Sequence, residues 1–144
     1  MADPLHIVCP HCATTNRVPA SKLGEAPTCG KCGAALFDAH PTTLDAGSFE
    51  RHIAHNDIPV LIDFWAPWCA PCRAMAPAYE RAAAQLEPAM RVAKLNTEEA
   101  QELATRHQIR SIPTLALFKN GREVARQAGA TDTASIVAWA RQHA

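Results

Sequence analysis

An excess of charge of either sign is missing from this 144-residue sequence, because lysine plus arginine and aspartate plus glutamate each total 14. The stretch before residue 41 is balanced as well. A neutral chain generates no long-range field that would attract nucleic acid or an anionic membrane, and it lacks the basic surface typical of nucleic-acid binding. We therefore expect neither a nucleic-acid partner nor a membrane partner.

Long apolar segments are missing too. No run of apolar residues approaches the roughly 20 that an α-helix needs to span a bilayer. The first eight residues also lack the cationic start and apolar core of a signal peptide. We expect the protein to stay in the reducing cytoplasm. In that compartment the six cysteines, which form three C-x-x-C pairs, indicate metal binding and redox chemistry rather than structural disulfides.

The sequence changes character near residues 37–43, and it shows no internal repeats or low-complexity tracts. Residues 1–40 hold four cysteines and only short apolar pieces, too few to bury a core, so we expect a small metal-binding module there. Residues 41–144 alternate strand-like and helix-like patterns separated by turn signals, which is typical of an α/β domain. The hydrophobic content of 48% is that of a globular protein.

This downstream region predicts a mixed sheet flanked by helices. The apolar run over residues 59–65 predicts a central strand covered on both faces. Residues 91–96 predict another strand, and Asn120-Gly121 predicts a hairpin between residues 115–119 and 123–127. Four helices are predicted. The first covers 48–55 and is capped by Asp45 or Ser48, and the second covers 69–86 and is kinked at Pro77. The third is capped by Asn96 and Glu99 and ends near His107, and the last is capped by Thr131 or Asp132 and buries Ile136, Trp139 and Ala140.

Cys69 and Cys72 lie between the predicted central strand and the helix that follows it. At a helix N-terminus the free backbone N–H groups and the helix dipole stabilise a thiolate, and the two-residue spacer brings both sulfurs within one turn. One thiol can then attack a disulfide while the other resolves the mixed disulfide. The alternatives are half of a second metal site or two inert core cysteines, but the preceding strand, Trp68 and the internal Pro71 favour a redox pair.

The other four cysteines form the pairs Cys9/Cys12 and Cys29/Cys32, which sixteen residues separate. This spacing is typical of a zinc site in which four thiolates complete a closed tetrahedron. Two disulfides are the alternative, and His11 is an alternative ligand in place of one cysteine. We expect one Zn²⁺ bound by Cys9, Cys12, Cys29 and Cys32, and no bound organic cofactor.

Four stretches of the chain resemble thioredoxin. They are residues 63–72 (DFWAPWCAPC), 92–96 (VAKLN), 109–114 (IRSIPT) and 118–121 (FKNG), and the likeness covers residues 42–144. With the four upstream cysteines the chain resembles the zinc-containing branch of that family, the thioredoxin 2 type. One departure is Ala70, where the family pattern has glycine.

The resemblance implies the thioredoxin fold and assigns roles around the redox pair. Asp63 would be a buried carboxylate beneath Cys72, with Lys94 as its neighbour, and Pro113 would be a cis-proline facing the active-site disulfide. From the residues alone, a structural aspartate, a solvated lysine and an ordinary trans-proline fit these positions as well. The apolar surface that accepts the substrate backbone would consist of Trp68, Ile112, Gly129 and Ala130, although Trp68 also fits a packing role.

The function that follows is a protein-disulfide reductase of the thioredoxin type, with Cys69 as nucleophile and Cys72 as resolving thiol. The resemblance implies an NADPH-dependent thioredoxin reductase as electron donor, oxidised proteins as targets and a monomeric state, with a structural or redox-regulatory zinc module. One alternative is a binding module whose zinc knuckles recognise protein or nucleic acid, which the neutral charge disfavours. Another is an oxidant or isomerase, which the lack of an export signal disfavours.

Overall fold

The computed structural model describes residues 3–144, and this part of the chain begins with a small hairpin. Strand β1 (Leu5–Val8) pairs antiparallel with β2 (Thr15–Val18), and a short 3-10 helix (Ala20–Lys22) follows. Thr28 and Ala35 form an antiparallel bridge that closes a second tight loop. Each of the two upstream C-x-x-C pairs therefore lies in a turn of its own, one inside the hairpin and one inside the bridge.

A mixed five-stranded sheet forms the centre of the region after residue 41. Its strands are β3 (Thr42–Leu44), β4 (Val60–Trp65), β5 (Arg91–Asn96), β6 (Thr114–Lys119) and β7 (Arg122–Ala128). In the order β3-β5-β4-β6-β7, the first three are parallel, whereas β6 and β7 run antiparallel to their neighbours. The predicted mixed sheet is confirmed, and β4 is its middle strand, as the apolar run predicts.

Four helices cover the two faces of this sheet: α1 (Ala46–His55), α2 (Ala70–Leu86), α3 (Gln101–Arg106) and α4 (Thr133–His143). Successive residues of a strand point to opposite faces. Leu61 of β4 accordingly packs with α2 and α4, while Ile62 packs with α1 and α3. None of the helices among residues 3–144 combines the length and the apolar character that a bilayer crossing requires.

The predicted caps of the first and last helices are confirmed, although α1 begins at Ala46, before the predicted start at residue 48. Asp45 caps α1, because its carboxylate accepts a hydrogen bond from the N–H of Ser48 at 2.8 Å. Asp132 caps α4 through the N–H of Ser135 in the same way. The predicted burial of the last helix holds for Ile136 and Ala140, whereas Trp139 is only partly buried.

The prediction that Asn96 and Glu99 cap α3 is wrong. The carboxamide oxygen of Asn96 accepts the N–H of Glu98 at 2.9 Å and so forms a turn directly after β5. The helix begins only at Gln101, with no side chain capping it. A short polar side chain can serve a turn or a helix cap equally well, and the tertiary position of the strand end decided for the turn.

The upstream segment packs against the domain rather than standing apart from it. Val8 donates its N–H to the side chain of Asn56 at 2.8 Å, and Asp57 donates its N–H to the carbonyl of His6 at 2.9 Å. The buried apolar cluster of the segment also takes in one residue from the loop before β4: its members are Ile7, Cys9, Val18, Cys29, Leu36 and Ile58.

Arg91, the first residue of β5, joins the two regions. Its side chain is fully buried and donates to the carbonyl oxygens of Val8 at 2.9 Å and Leu36 at 2.8 Å. The same guanidinium forms an ion pair with Glu87 at 3.1 Å and lies 4.5 Å from the centroid of the Phe37 ring. Residues before position 41 therefore supply two of the acceptors for a charge that is buried at the start of β5.

Candidate active site and metal centre

The redox pair lies where β4 ends and α2 begins. Cys69 is the N-cap residue of α2, and its sulfur accepts a hydrogen bond from the backbone N–H of Cys72 at 3.3 Å. The two sulfurs form a disulfide, so the structure shows the oxidised state of the pair. Both residues are buried, Cys72 slightly more than Cys69 (2% against 5% exposed). The outer cysteine thus meets the N–H groups of the helix start, and the inner one faces the domain.

The loop before β6 faces this disulfide. The carbonyl oxygen of Ile112 lies 3.7 Å from the sulfur of Cys69, and the peptide bond between Ile112 and Pro113 is cis. Gly129 donates its N–H to the carbonyl of Pro113 at 2.9 Å, which brings the end of β7 to the same place. The structure therefore gathers Ile112, Pro113 and Gly129 beside Cys69, and Ala130 follows them on the exposed chain.

An open groove of about 370 Å³ adjoins the pair on the side of α3. Trp68, which is 66% exposed, and Ile112 form part of its lining, whereas Gly129 and Ala130 do not. The predicted apolar surface is thus divided between the groove and the end of β7. Sequence reasoning missed the wall that α3 supplies, because nothing in the local sequence relates that helix to the cysteines; its residues are Gln101, Ala104 and Thr105.

Asp63 lies on the inner side of the pair. Its side chain is 4% exposed, and its Oδ1 has no hydrogen-bond partner. Asp63 and Cys72 both line a cavity of about 220 Å³, and Lys94, which pairs with Asp63 across β4 and β5, lines it too. Burial raises the pKa of Asp63 from 3.8 to about 7, and the charge of Lys94 opposes this rise. The carboxyl group can therefore gain and lose a proton near neutral pH.

Three other polar groups around Asp63 are not suited to accept a thiol proton: the Tyr79 hydroxyl, the Trp65 indole and the Lys94 ammonium. The hydroxyl of Tyr79 donates to the carbonyl oxygen of Ala93 at 2.6 Å, and burial raises the pKa of Tyr79 well above its ordinary value. The indole N–H of Trp65 has no partner, but it does not titrate. Lys94 lies with its Nζ 5.3 Å from the Trp65 ring centroid. Among the groups that line the cavity, Asp63 is the buried one able to accept a proton from Cys72.

The four upstream cysteines converge on one point. The sulfur of Cys9 lies 3.6 Å from that of Cys32, and the sulfur of Cys12 lies 3.7 Å from that of Cys29. All four sulfurs are within 4.8 Å of one another. A tetrahedral zinc site with Zn–S bonds of about 2.3 Å has S···S edges of about 3.8 Å, whereas a disulfide bond is about 2.05 Å long. The cluster fits a zinc ion and does not fit two disulfides.

The turns that carry these cysteines are shaped for metal binding. The N–H of His11 donates to the sulfur of Cys9, and the N–H of Lys31 donates to the sulfur of Cys29, both at 3.4 Å. Such bonds stabilise a thiolate. His11 itself does not belong to the sulfur cluster, because its Nε2 lies toward Asp38 at 3.9 Å. The structure thus favours the four-cysteine set over a set that includes His11.

The thiols of the cluster differ in their affinity for protons. Backbone N–H donation, first from Cys32, and the side chain of Asn16 lower the pKa of Cys29 to about 6. Burial raises the pKa of Cys9 to about 12. Four thiolates at this distance need a cation to offset their mutual repulsion, which a closed zinc site provides.

Comparison with known proteins adds to this geometry. A family model described as Thioredoxin matches residues 40–142, and a zinc-ribbon model described as Thioredoxin 2, N-terminal, matches residues 8–34. Thioredoxin C-3 of Corynebacterium nephridii is 43% identical over 136 residues, which is 94% of this chain and 93% of that protein. Thioredoxin 1 of a Nostoc species is 42% identical over 96 residues, or 67% of this chain and 90% of that protein.

A solved structure shows the same likeness in three dimensions. A mutant thioredoxin from Halobacterium salinarum superposes with a TM-score of 0.66 at 30% sequence identity. The match covers 74% of this chain and 93% of the archaeal one. The part of the chain without a counterpart is therefore about as long as the four-cysteine segment.

Proposed function

The chain belongs to the thioredoxin family and is a thiol–disulfide oxidoreductase, and we propose that it reduces target proteins by cycling Cys69 and Cys72 between dithiol and disulfide. One observation carries the proposal. The pair stands at the N-terminus of α2 with the Ile112–Pro113 loop in front of Cys69 and the carboxyl of Asp63 in a cavity behind Cys72.

In the first step the thiolate of Cys69 attacks a disulfide of the target. A bond forms between Cys69 Sγ and one target sulfur, the target S–S bond breaks, and the second target sulfur leaves as a thiolate that takes up a proton. The N–H of Cys72 and the dipole of α2 stabilise the attacking thiolate, which is why Cys69 rather than Cys72 is the nucleophile.

In the second step Cys72 resolves the mixed disulfide. Asp63 accepts the thiol proton through the cavity that the two side chains share, and the new thiolate attacks Cys69 Sγ. The bond between Cys69 and the target breaks, the target sulfur that had been bonded to Cys69 leaves as a thiolate that takes up a proton, and the disulfide seen in the structure forms. Two electrons pass from the cysteine pair to the target, and Lys94 tunes the proton affinity of Asp63.

Recognition of the target rests on backbone and apolar contacts beside Cys69. We assign this role to Trp68, Ile112, Gly129 and Ala130, with cis-Pro113 in the loop beside Cys69. An NADPH-dependent thioredoxin reductase returns two electrons to the pair, as the family membership suggests. The protein acts as a monomer in the cytoplasm in this proposal.

Residues 1–40 form a zinc-binding module and residues 41–144 the thioredoxin domain in this proposal. The matches to residues 8–34 and 40–142 support the division. Cys9, Cys12, Cys29 and Cys32 would hold one zinc ion, whose closed thiolate shell supplies folding free energy rather than a reactive coordination position. Its role is therefore structural, with oxidation of the thiolates as a route to regulation.

The test is insulin reduction with a thioredoxin reductase and NADPH, run on the parent chain and on Cys69→Ser and Cys72→Ser. We expect turnover only in the parent. Cys72→Ser should still attack and accumulate mixed disulfides through Cys69, whereas Cys69→Ser should trap nothing. Equal trapping by both variants would show that the roles are wrongly assigned, and an inactive parent that still binds zinc would favour a binding module. A measured redox potential separates a reductase from an oxidant.

A further inference from the structure

The segment that joins the four-cysteine module to β3 has a defined shape. Ala39 has a φ of +63°, a conformation that side chains with a Cβ rarely adopt outside tight turns. The N–H of His40 donates to the carboxylate of Asp38 at 3.1 Å, which closes the turn. Pro41 follows and fixes the backbone just before β3. The segment 38–41, called the joining turn below, is therefore a built turn and not a free tether.

The joining turn is attached on two sides. The Nδ1 of His40 lies 2.8 Å from a carboxylate oxygen of Glu80 on α2, and Asp38 lies 3.9 Å from the Nε2 of His11 in the first metal-binding turn. The His40–Glu80 pair is solvent-exposed, with 70% and 47% of the two side chains accessible. Such a pair contributes little to global stability. The pair is important here because it attaches the joining turn to α2.

The joining turn forms one wall of the cavity behind the redox pair. Pro41 and Glu80 line the same cavity of about 220 Å³ as Asp63 and Cys72. All other lining residues come from β4, β5 and α2, so Pro41 is the part of the wall that lies outside these three elements. The ion pair of His40 with Glu80 thus fastens this wall to the helix that carries Cys72.

We propose that His40 is a positioning residue for the resolving step, because its ion pair with Glu80 holds the joining turn against the cavity and limits the access of water to Asp63. The inference rests on the proposed role of Asp63 as proton acceptor. In this proposal the upstream region influences the chemistry of Cys72 through the joining turn and not through contact with the disulfide.

The physical link is solvation of the carboxylate. Burial is the dominant cause that raises the pKa of Asp63 to about 7. A wall that moves outward lets water solvate the charged form, so the pKa of Asp63 should fall toward its ordinary value. A carboxylate of lower pKa is a weaker base toward a thiol, and resolution should slow.

The ion pair also carries a pH dependence of defined sign. Hydrogen bonding and charge from Glu80 raise the pKa of His40. Asp38 in the same turn and Glu87 after α2 add to this rise, while Lys94 of β5 and Arg73 of α2 are the cations that line the cavity. A group with a raised pKa is charged below that pKa, so the attachment is strongest while His40 is protonated and Glu80 is ionised, and it weakens as the pH rises through the pKa of His40.

The test is the pKa of Asp63, measured by carboxyl NMR titration of the full-length, zinc-loaded chain with the cysteine pair oxidised. We expect His40→Ala to lower this pKa by about half a unit or more. The sign is decisive, because freeing the negative charge of Glu80 without moving the wall would raise the pKa instead. His40→Lys, which keeps a cation next to Glu80, should retain the parent value, and His55→Ala is the matched control at an exposed histidine of α1. An unchanged or raised pKa in His40→Ala overturns the proposal.

A kinetic readout separates this proposal from the one it rests on. In single-turnover reactions at pH 7, His40→Ala should slow the resolution of a preformed mixed disulfide about twofold and leave the attack by Cys69 unchanged. Equal slowing of both steps would exclude a positioning role in resolution. If Asp63→Asn does not slow resolution, the proposed proton acceptor is wrong, while the NMR titration still decides whether His40 controls the cavity wall.

Discussion

The paired strands β4 and β5 bury two charges in opposite ways. At the start of β5, Arg91 is fully buried and bonded to two carbonyl oxygens and to Glu87. Asp63, in the interior of β4, is almost as deeply buried, but its Oδ1 has no hydrogen-bond partner, and the charge of Lys94 on the neighbouring strand does not outweigh the burial that disfavours its ionised form. The first charge is neutralised by the fold, and the second is left available for chemistry.

The comparison shows how one sheet serves two purposes. A buried ion with good partners holds its surroundings in place, because removing any partner leaves a charge uncompensated. A buried carboxyl without partners has a proton affinity shifted into the working range of thiol chemistry. The contrast is not complete, since Nε of Arg91 and Oε1 of Glu87 also lack partners. Burial alone therefore does not distinguish a structural charge from a reactive one; the surrounding acceptors do.

The largest expected effect comes from replacing one of the four cysteines that we propose bind zinc. Cys29→Ala should abolish stoichiometric zinc binding and forfeit metal-coupled folding free energy on the order of 10 kcal/mol. From the sequence alone the domain should survive this loss unharmed, but the contacts of Arg91 predict that it is destabilised as well. Zinc content by a chromogenic chelator, combined with hydrogen exchange of β5 amides, measures both effects. His11→Ala, which alters a neighbour outside the sulfur cluster, is the control. Unchanged exchange in β5 would mean that the two regions are independent.

A second prediction concerns Arg91 itself. Arg91→Ala should cost about 3–5 kcal/mol of unfolding free energy, because Glu87 and the carbonyls of Val8 and Leu36 lose a buried partner. Urea denaturation measures the loss, with the exposed Arg122→Ala as control. Combining Arg91→Met with Glu87→Gln should recover part of it, since both charges are then absent. Insulin reduction per folded molecule should stay at the parent level. A large decrease would contradict the interpretation of Arg91 as a structural charge.

The third prediction concerns Asp63, where the expected change in unfolding free energy has the opposite sign. Because the folded protein raises the pKa of Asp63 from 3.8 to about 7, ionisation of this carboxyl destabilises the fold. The destabilisation is complete above about pH 7 and is lost as the pH falls from about 7 toward 3.8. Asp63→Asn should therefore add roughly 3–4 kcal/mol to the unfolding free energy at pH 8 and little at pH 4. The same variant should slow resolution of mixed disulfides. Urea denaturation at the two pH values measures the change in unfolding free energy. An increase of equal size at both pH values would show that titration of Asp63 is not its cause.

The smallest effect should come from Lys94, which lies across from Asp63 on the neighbouring strand. Lys94 lowers the pKa of Asp63, so Lys94→Gln should raise it by about one unit, equivalent to about 1.4 kcal/mol. The pH profile of resolution should move to higher pH by the same amount, without loss of the maximal rate. Lys119→Gln, at the exposed end of β6, tests for a general effect of lost charge. If the pH profile of resolution does not move, Lys94 is a solvated side chain without influence on Asp63.

Elements with a strong local signal were predicted well from the sequence. The apolar run of β4, the Asn120-Gly121 hairpin and the start of α2 at Cys69 all agree with the structure. The strand β3 was not predicted, because its three residues carry little pattern and it exists through pairing with β5. The start of α3 was misplaced for a related reason, since Asn96 suits a turn as well as a helix cap.

The sequence by itself determined the chemistry available to this protein: three C-x-x-C pairs, their spacing and the helix that follows Cys69 depend on residues close together in the chain. Only the tertiary structure decided which groups act together. Arg91 reaches Val8, and His40 reaches Glu80, across 83 and 40 residues of sequence. Local patterns record the period of a helix or a strand, whereas the solvation of a buried charge depends on whatever the fold brings around it.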